Sequence, residues 1–478
     1  MTKFLVKIIC KSYEKLLDLD NFNLDLNKHT ARKEEANKFV VSGILTDDEI
    51  QKLKSNDYEI EILSDLTQIG KERSREVSKE NRFTETKRVQ RDLSERAETE
   101  KYMNADEIES YLINLNKLHP DITTLIELPH RSVEGRKSHA LHLHVNKDNN
   151  NAINNSSNND NSIGVLITGS MHAREWGGSD ICINFLLNTI SAYVHNTSIT
   201  YGNKKFSANE VKDMLQKIEL FIFPDVNPDG KVYSQSNDDP SLPLDDQGIW
   251  WRKNRNSTIV PNGDDPNHLT GVDINRNFDF LWSSGIGTVR PDGRNRGQSY
   301  RGSSAFSEPE TQNVRYIMDI FNIKYYIDIH SYGELILYSW GDDINQNTDP
   351  NQNFLNPQFD GLRGNPFDDR YREYISQDDE KILKTLADTM NNVISEVRGH
   401  KYTVQQSVGL YPTSATSDDY VFSRHKIDNN NKKTYGFTIE FGSESIGFIP
   451  QYSEMKNIIN EVSAGLTELC LNVSQNNT

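Results

Sequence analysis

Four strongly apolar segments constrain how this chain can fold. They read IGVLITGS, IELFIFPDV, KYYIDIHSY and YGFTIEFG, at 163–170, 218–226, 324–332 and 435–442. Short runs rich in Ile, Val, Phe and Tyr are typical of strands that are buried on both faces of a sheet. Apolar residues at helical spacing predict long helices at 178–197, 308–321 and 379–398. The alternation predicts an α/β fold, in which helices cover both faces of a mixed sheet.

The first 65 residues predict a separate small α+β unit. Strand-like runs lie at 4–10, 22–26, 38–44 and 58–63. The segments SYEKLLDL and TDDEIQKLK between them are helix-like, and Thr46 is placed to cap the second. The order β-α-β-β-α-β indicates a ferredoxin-like arrangement.

Two polar segments separate or interrupt the predicted units. Residues 66–100 are dense in both charges and predict a linker or an exposed helix that a trypsin-like protease could cut. Residues 146–162 form an Asn/Ser-rich insert, which we expect to be a disordered loop without a function of its own. The remaining domain is then 101–478.

Composition excludes several classes of protein. With 53 Lys+Arg against 70 Asp+Glu, the net charge is −17, which argues against nucleic acid as a partner. No apolar run approaches the roughly 20 residues that cross a bilayer, so we expect no membrane-spanning helix. The three cysteines match no disulfide framework or zinc finger, and the amino terminus does not resemble a signal peptide. A reduced, cytoplasmic setting is therefore expected.

The segment GSMHAREWGG follows one apolar strand and precedes a helix. His172 and Glu175 are three residues apart, and on a turn that enters a helix they can aim an imidazole and a carboxylate at one point. His330 ends another apolar strand, at the sheet edge where α/β folds build their sites. Each feature alone is more often structural. Together, three such ligands and a water molecule form an open, catalytic zinc site.

Two arginine-bearing segments change the odds in favour of a site. WWRKNRN contains Arg252 and Arg255, and GVDINRNF contains Asn275 and Arg276. A guanidinium pairs bidentately with a carboxylate, and near zinc it can also stabilise an oxyanion. Glu440 lies within an apolar strand, where a carboxylate is costly unless it is paired or functional, and facing the metal it would be a general base.

The ordered motifs resemble those of the zinc carboxypeptidases of the carboxypeptidase A/B family, over about residues 100–475. They are SVEGR (132–136), HAREW (172–176), PDVNPDG (224–230), WRKNR (251–255), GVDINRN (271–277), YRGSSAFSEPET (300–311), DIHSYG (328–333), LYPTSATSDDY (410–420) and TIEFG (438–442). The resemblance implies the zinc-exopeptidase fold, with a mixed sheet of eight strands, and one zinc ion per chain. It also implies hydrolysis of the carboxyl-terminal peptide bond of peptides and proteins by zinc-activated water.

Residue roles follow from the resemblance by matching position. It implies zinc ligation by His172, Glu175 and His330, with Asp273 as the acceptor that orients His172. Glu440 is implied as the general base and Arg252 as the residue that polarises the scissile carbonyl. The remaining positions imply a clamp on the terminal carboxylate and a neighbouring subsite: Asn275, Arg276 and Tyr411, and Arg174.

The substrate preference rests on Asp418, which matches the base of the family's specificity pocket. An acidic group there resembles the carboxypeptidase B type and implies a preference for Lys or Arg ends. Asp419 is expected to have a structural role. Ala415 and Thr416 replace a glycine pair that is usual in the family, so a mixed or small-residue preference stays open.

The amino-terminal unit is similar to the pro-domain that covers the active site in many family members. The missing signal peptide and the missing cysteine pair both depart from the secreted members. The resemblance implies peptide or protein carboxyl termini as partners. We expect the protein to be a monomer. Two readings of the same fold remain: a hydrolase of cell-wall muropeptides, and a non-catalytic pseudo-enzyme that binds peptide ends. A scaffold in which the amino-terminal unit recruits a partner is a third.

Overall fold

The computed structural model describes residues 2–22, 24–95, 101–145, 163–236, 248–257, 270–288, 297–365, 368–409 and 411–475. The Asn/Ser insert predicted at 146–162 lies outside the described residues, as do the last five residues of the charged segment 66–100. Within these ranges, no helix is long and apolar enough to cross a membrane.

The amino-terminal unit is built on an antiparallel sheet. Its strands are β1 (Lys3–Cys10), β2 (Asp25–Glu35), β3 (Lys38–Thr46) and β4 (Glu59–Asp65), in the order β2-β3-β1-β4. Its helices are α1 (Tyr13–Asp18) and α2 (Asp47–Lys54). Thr46 begins α2 with a reciprocal capping box, in which its hydroxyl accepts from the Glu49 backbone amide and the Glu49 carboxylate accepts from the Thr46 amide. The predicted ferredoxin-like arrangement is confirmed.

Strand β2 departs from its prediction in position. The pattern predicted a strand over 22–26, whereas the structure has a 3₁₀ turn at Leu19–Phe22 and a strand that runs from Asp25 to Glu35. The segment 27–33, NKHTARK, is too polar to show an apolar alternation. It forms a strand because it pairs with β3 through two register shifts and lies against the rest of the protein.

The charged segment that follows is more closely packed than its composition predicts. It contains α3 (Leu66–Arg73), a 3₁₀ turn (Ser74–Glu76) and α4 (Thr86–Glu95). Val77, Phe83 and Val89 are buried there. A few apolar residues among many charges do not show in a composition, yet Leu66, Val77, Phe83 and Val89 attach this segment to the core of the larger domain.

The larger domain consists of alternating helices and strands. Its helices are α5 (Ala105–Leu118), α6 (Gly177–His195), α7 (Ala208–Leu215), α8 (Pro228–Gln235), α9 (Pro309–Ile320), α10 (Gln377–Arg398), α11 (Ser417–Ile427) and α12 (Tyr452–Gln475). Its strands are β5 (Thr123–Glu127), β6 (His139–Leu143), β7 (Ile163–Gly169), β8 (Ile199–Tyr201), β9 (Lys204–Phe206), β10 (Ile218–Phe223), β11 (Ile323–Ser331), β12 (Leu335–Tyr338), β13 (Asn345–Gln346), β14 (Glu373–Tyr374), β15 (Thr403–Gln406) and β16 (Tyr435–Phe441). Further 3₁₀ turns lie at Gly248–Trp250, Ile274–Arg276, Trp282–Ser284 and Pro357–Phe359.

Eight of these strands form one mixed sheet, in the order β15-β12-β16-β11-β7-β10-β6-β5. The central strands β16, β11, β7 and β10 are parallel, and antiparallel pairs join β12 and β6 to them. Every residue of β7, β10 and β16 is buried, as expected of strands covered on both faces. The predicted mixed sheet of eight strands, covered by helices, is confirmed.

Parallel pairing brings the carboxyl ends of the central strands to one edge of the sheet. Asp328 on β11 pairs with Thr168 on β7, and His330 pairs with Glu440 on β16. Side chains that lie 100 or more residues apart in sequence are thereby gathered at this edge. Cys10, Cys182 and Cys470 are buried free thiols.

Candidate metal centre and substrate cleft

The turn that carries HAREW lies directly after β7. Ser170 has a φ of 58°, which ends the strand, and α6 begins at Gly177. A Cβ atom on Gly178 would lie 3.0 Å from the Ser170 nitrogen and 3.1 Å from the Ile329 oxygen. Only a glycine therefore allows α6 to start this close to the sheet, and the short turn holds His172 and Glu175 above the strand ends.

His172, Glu175 and His330 converge on one point, as predicted. Their ligand atoms all lie within 4.8 Å of one another, and all three residues are buried. The Glu175 carboxylate lies 2.8 Å from His172 Nδ1 and 2.9 Å from His330 Nδ1, and the two Nδ1 atoms are 3.0 Å apart. Two imidazole nitrogens and one carboxylate are a donor set that zinc takes at catalytic sites, so the residues present fit a zinc ion.

Each histidine also has a carboxylate at the far side of its ring. His172 Nε2 lies 3.2 Å from Asp273 Oδ1, and His330 Nε2 lies 2.6 Å from Asp328 Oδ2. Both rings therefore present Nδ1 to the same point. Asp273 is the partner that the resemblance implied for His172. Asp328 was not singled out in the sequence, although its spacing of two from His330 on a strand places both on one face.

Asp273 also connects the metal centre to Arg252. Arg252 Nε donates to Asp273 Oδ2 at 3.1 Å, and the Ala173 amide donates to the Arg252 carbonyl at 2.9 Å. Burial raises the pKa of Asp273, but the Arg252 guanidinium and His172 outweigh it and hold the pKa well below its usual range. The carboxylate is therefore ionised at neutral pH.

Glu440 stands beside His330 on the neighbouring strand, and both side chains are almost fully buried. Among the described residues, Glu440 Oε2 has no hydrogen-bond partner. Burial raises the pKa of Glu440 to about 8, with the His330 charge opposing the shift and the Glu175 charge reinforcing it. A buried carboxyl group with a raised pKa and one oxygen free of hydrogen bonds thus lies beside the candidate ligands.

The predicted carboxylate clamp lies on the other side of the same cleft. Asn275 and Arg276 belong to the 3₁₀ turn Ile274–Arg276, and both are buried. Asn275 Oδ1 accepts from the Ser417 amide at 2.8 Å, and Arg276 Nη1 donates to the Asn275 carbonyl at 2.6 Å. A cavity is lined by His172, Glu175, Arg252, Asn275, Arg276 and Glu440.

Residues 24–29 of the amino-terminal unit line this same cavity. The Asp25 carboxylate pairs with the Arg174 guanidinium, and Asn27 Nδ2 donates to the Tyr332 carbonyl at 2.8 Å. Sequence patterns alone did not identify this segment. Its polar run NKHT follows Asp25 and Leu26 within β2, and it carries no motif.

Tyr411 lies apart from the cavity. Its hydroxyl donates to the Leu16 carbonyl at 3.0 Å and lies 3.1 Å from Asp20 Oδ1. Its ring belongs to the apolar core of the amino-terminal unit, and Lys28 Nζ lies 4.4 Å from the ring centre. The residue implied to clamp a substrate is therefore held by the amino-terminal unit in this structure.

Asp418 lies in the first turn of α11 and is buried. Ser407 Oγ donates to its Oδ2 at 3.0 Å, and the Asp419 amide donates to its Oδ1 at 3.0 Å. Asp419 accepts from the Gly341 amide at 2.9 Å. Ala415 has a φ of 61°, in the left-handed region that favours glycine.

The sequence also matches a known protein family, over a range that contains these site residues. The sequence profile of the zinc carboxypeptidases, peptidase family M14, matches residues 108–465. That range holds the metal triad, Glu440 and both arginine segments. The chain therefore belongs to the zinc carboxypeptidase family.

Curated relatives include enzymes of the B type. A carboxypeptidase B from Helicoverpa zea is 30% identical over 247 residues, 51% of this chain and 47% of that protein. A carboxypeptidase B from Astacus astacus is 26% identical over 351 residues, 71% of this chain and 89% of that protein. A relative named an inactive metallocarboxypeptidase, ECM14 of Saccharomyces cerevisiae, is 28% identical over 243 residues, 50% of this chain and 46% of that protein. The chain thus spans about half the length of two of these three proteins.

Solved structures share the fold over the whole chain. Thrombin-activatable fibrinolysis inhibitor superposes with a TM-score of 0.67 at 18% identity and covers 100% of both chains. A carboxypeptidase A from Helicoverpa armigera has a TM-score of 0.66 at 18% identity and covers 99% of this chain and 98% of its own. At this identity the likeness concerns the fold alone.

Proposed function

We propose that this protein is a zinc-dependent exopeptidase that removes carboxyl-terminal residues from peptides and proteins. One observation carries the proposal: the buried cluster of His172, Glu175 and His330 lies beside Glu440, which has an uncommitted oxygen. A site with only a structural metal would not need a proton acceptor at its edge. One zinc ion per chain, held by the three ligands, is part of the proposal.

A zinc ion bound there would lower the pKa of water to about 7 and polarise a peptide carbonyl. Glu440 accepts the proton of the attacking water at its free oxygen and delivers it to the nitrogen of the leaving amine. Arg252 remains paired with Asp273 through Nε and Nη2 and presents Nη1 to the carbonyl oxygen as negative charge develops. Glu440 and Arg252 both line the cleft, so each can reach the same peptide bond.

Asn275 and Arg276, the proposed clamp on the substrate carboxylate, explain why cleavage would occur at the carboxyl-terminal residue. Asn275 and Arg276 line the cleft that contains the metal ligands, and Arg276 is a buried cation. A substrate carboxylate is the natural partner of such a guanidinium. Only the last residue of a chain can place a carboxylate there while its peptide bond lies at the ligands.

A preference for Lys or Arg ends is the finer part of the proposal. A buried carboxylate at Asp418 would reward a basic side chain by a charge-assisted hydrogen bond. The B-type relatives support this assignment, and the occupied oxygens of Asp418 still accept further donors.

Residues 1–65 are proposed to keep the enzyme latent as a pro-domain. Three kinds of contact support this. Residues 24–29 line the cleft, the Asp25 carboxylate pairs with the Arg174 guanidinium, and the Leu16 carbonyl accepts from the Tyr411 hydroxyl. A substrate would need the same space and the same side chains. Residues 66–100 would then be the connection that is cut.

The test is a panel of peptides ending in Arg, Lys, Phe, Leu, Ala or Glu, together with muropeptides. Each is assayed before and after removal of the amino-terminal unit, with chelator and with zinc restored. We expect cleavage of Arg and Lys ends, loss of activity with chelator and recovery with zinc. Full activity of zinc-free protein would refute the metal role. No turnover with bound zinc would favour a pseudo-enzyme, and turnover of muropeptides alone would favour the cell-wall activity.

A further inference from the structure

We infer that Asp328 is a positioning residue. It holds His330 in the orientation and tautomer that present the Nδ1 atom of His330 to the metal. The inference rests on the proposed zinc site and deepens it. Asp328 belongs to neither the ligand set nor the clamp, and no motif assigned it a role.

The geometry is that of a carboxylate–histidine pair. Asp328 Oδ2 lies 2.6 Å from His330 Nε2, and both side chains are almost fully buried. The residues are two apart on β11, so the strand itself places both side chains on one face. A carboxylate at Nε2 requires the proton there, which leaves the Nδ1 lone pair for a metal.

Asp328 is itself held in place by two hydroxyl groups. Thr168 Oγ1 donates to Asp328 Oδ1 at 2.9 Å, and Ser417 Oγ donates to Oδ2 at 2.8 Å. A buried carboxylate with two donors and an imidazole on its oxygens is fully satisfied. It therefore acts as a rigid support, since any rotation would break these bonds.

The arrangement repeats around both histidines of the centre. His172 Nε2 faces Asp273 at 3.2 Å, and His330 Nε2 faces Asp328 at the shorter distance of 2.6 Å. Asp273 is paired with the Arg252 guanidinium as well as with His172. The partners of Asp328 other than His330 are two neutral hydroxyls. The charge of Asp328 is therefore directed to His330 and is not shared with a guanidinium.

Ser417 extends the network to the substrate clamp. Its hydroxyl binds Asp328, and its backbone amide donates to Asn275 Oδ1 at 2.8 Å. One residue thus joins the support of a metal ligand to the clamp on the substrate carboxylate. A change at Asp328 is expected to affect metal affinity first, and the clamp second.

The experiment measures zinc affinity of the intact chain by competition with a chromophoric chelator. Asp328→Asn keeps the shape and a hydrogen-bond acceptor but removes the charge, and we expect zinc to bind about 10- to 100-fold more weakly. Asp273→Asn is the parallel variant for the other histidine. Asp379→Asn is the matched control, because Asp379 in α10 is also a buried carboxylate that accepts from two hydroxyls, Ser376 Oγ at 2.7 Å and Tyr435 Oη at 2.8 Å, and it does not line the cleft.

A merely structural role predicts similar losses of thermal stability in Asp328→Asn and Asp379→Asn, with unchanged zinc affinity in both, and that result would overturn the inference. If Asp328→Asn does not fold, Ser417→Ala removes one support of the carboxylate, and a loss of about 2- to 10-fold in zinc affinity is expected. Wild-type zinc affinity in Ser417→Ala would then count against the role. If the wild-type chain itself binds no zinc, the proposed function fails. If it binds zinc and cleaves peptides while Asp328→Asn binds zinc equally well, only the inference about Asp328 fails.

Discussion

Asp25 and Arg174 form a two-point ion pair between the amino-terminal unit and the turn that carries two of the metal ligands. Arg174 Nη2 donates to Asp25 Oδ1 at 2.8 Å, and Nη1 donates to Oδ2. The Arg174 side chain is 1% exposed and also lies 3.8 Å from the ring centre of Phe448. A buried guanidinium without its partner is costly, so this pair stabilises the closed arrangement of the cleft.

Asp25→Asn should therefore weaken latency in the uncut chain. Losing one member of a buried pair costs about 3–5 kcal/mol, although part of this is recovered as water enters the opened cleft. We expect the activity of the intact chain to rise by about 10-fold or more, with the activity of the cut enzyme unchanged. Glu59→Gln, on an exposed strand of the same unit, is the control. Equal residual activity in all three intact proteins would show that the ion pair does not maintain latency.

Cleavage between residues 71 and 96 should raise activity only once the freed unit dissociates. Lys71, Arg75, Lys79, Lys87 and Arg91 are exposed and can be reached by trypsin. The contacts of Leu16 and Asp25 with the larger domain do not depend on an unbroken chain. We expect a modest gain in activity after cutting and a larger gain after gel filtration removes the unit. Unchanged activity after clean removal of residues 1–96 would contradict the pro-domain assignment.

Glu440→Gln should abolish turnover and leave metal binding intact. The amide cannot accept a proton from water, and general base catalysis contributes about 10²- to 10⁴-fold. We therefore expect kcat to fall by about 10³-fold, while zinc content and binding of a peptide inhibitor stay near those of the wild type. Near-normal rates in this variant would refute the role of Glu440.

Asp418→Asn should change selectivity more than overall activity. Loss of a charge-assisted hydrogen bond is worth about 1.5–3 kcal/mol, so kcat/KM for Arg and Lys ends is expected to fall about 10- to 100-fold. Peptides ending in Phe or Ala should be affected much less. An equal fall in kcat/KM for all substrates would indicate that Asp418 stabilises α11 and does not bind the substrate side chain.

Glu310 should make the fold less stable as the pH rises. It is 2% exposed, and burial, together with the charge of Glu308, raises the pKa of Glu310 to about 8. Its stabilising contribution is complete below its unfolded pKa of about 4.3 and is lost as the pH approaches 8, because the unfolded chain releases the proton first.

The measurement is urea unfolding of wild type and Glu310→Gln from pH 5 to 8. We expect wild-type stability to fall relative to the variant by about 1–3 kcal/mol across this range. Glu59→Gln, at an exposed position, controls for the change in net charge. Parallel curves for wild type and Glu310→Gln would contradict a raised pKa at Glu310.

Local patterns predicted the central strands and several of the helices but left many of the shorter elements unpredicted. The apolar runs located β7, β10, β11 and β16 to within a few residues, because buried parallel strands need a continuous apolar sequence. The elements that were not predicted include strands β12 and β15 and helices α11 and α12. α11 shows no apolar periodicity because it is buried on most sides, including its charged residues Asp418 and Asp419.

The candidate site divides in the same way. Within HAREW, the spacing of His172 and Glu175 predicted their convergence, because a short turn fixes both side chains. The two-residue spacing of Asp328 and His330 on a strand also places both side chains on one face, but the motif assigned no role to Asp328. The placement of Tyr411 in the core of the amino-terminal unit had no local signal, since its partner Leu16 is 395 residues away.

The sequence by itself determined the kind of sheet, the candidate metal ligands and the family, because these depend on short-range spacing and on side-chain chemistry. The tertiary structure alone decided that Asp25 occupies Arg174, that Leu16 holds the hydroxyl of Tyr411, and that Asp328 supports His330 together with Thr168 and Ser417. These contacts arise where the packing of two units and the register of parallel strands bring distant residues together. Such contacts leave no periodic trace in the sequence.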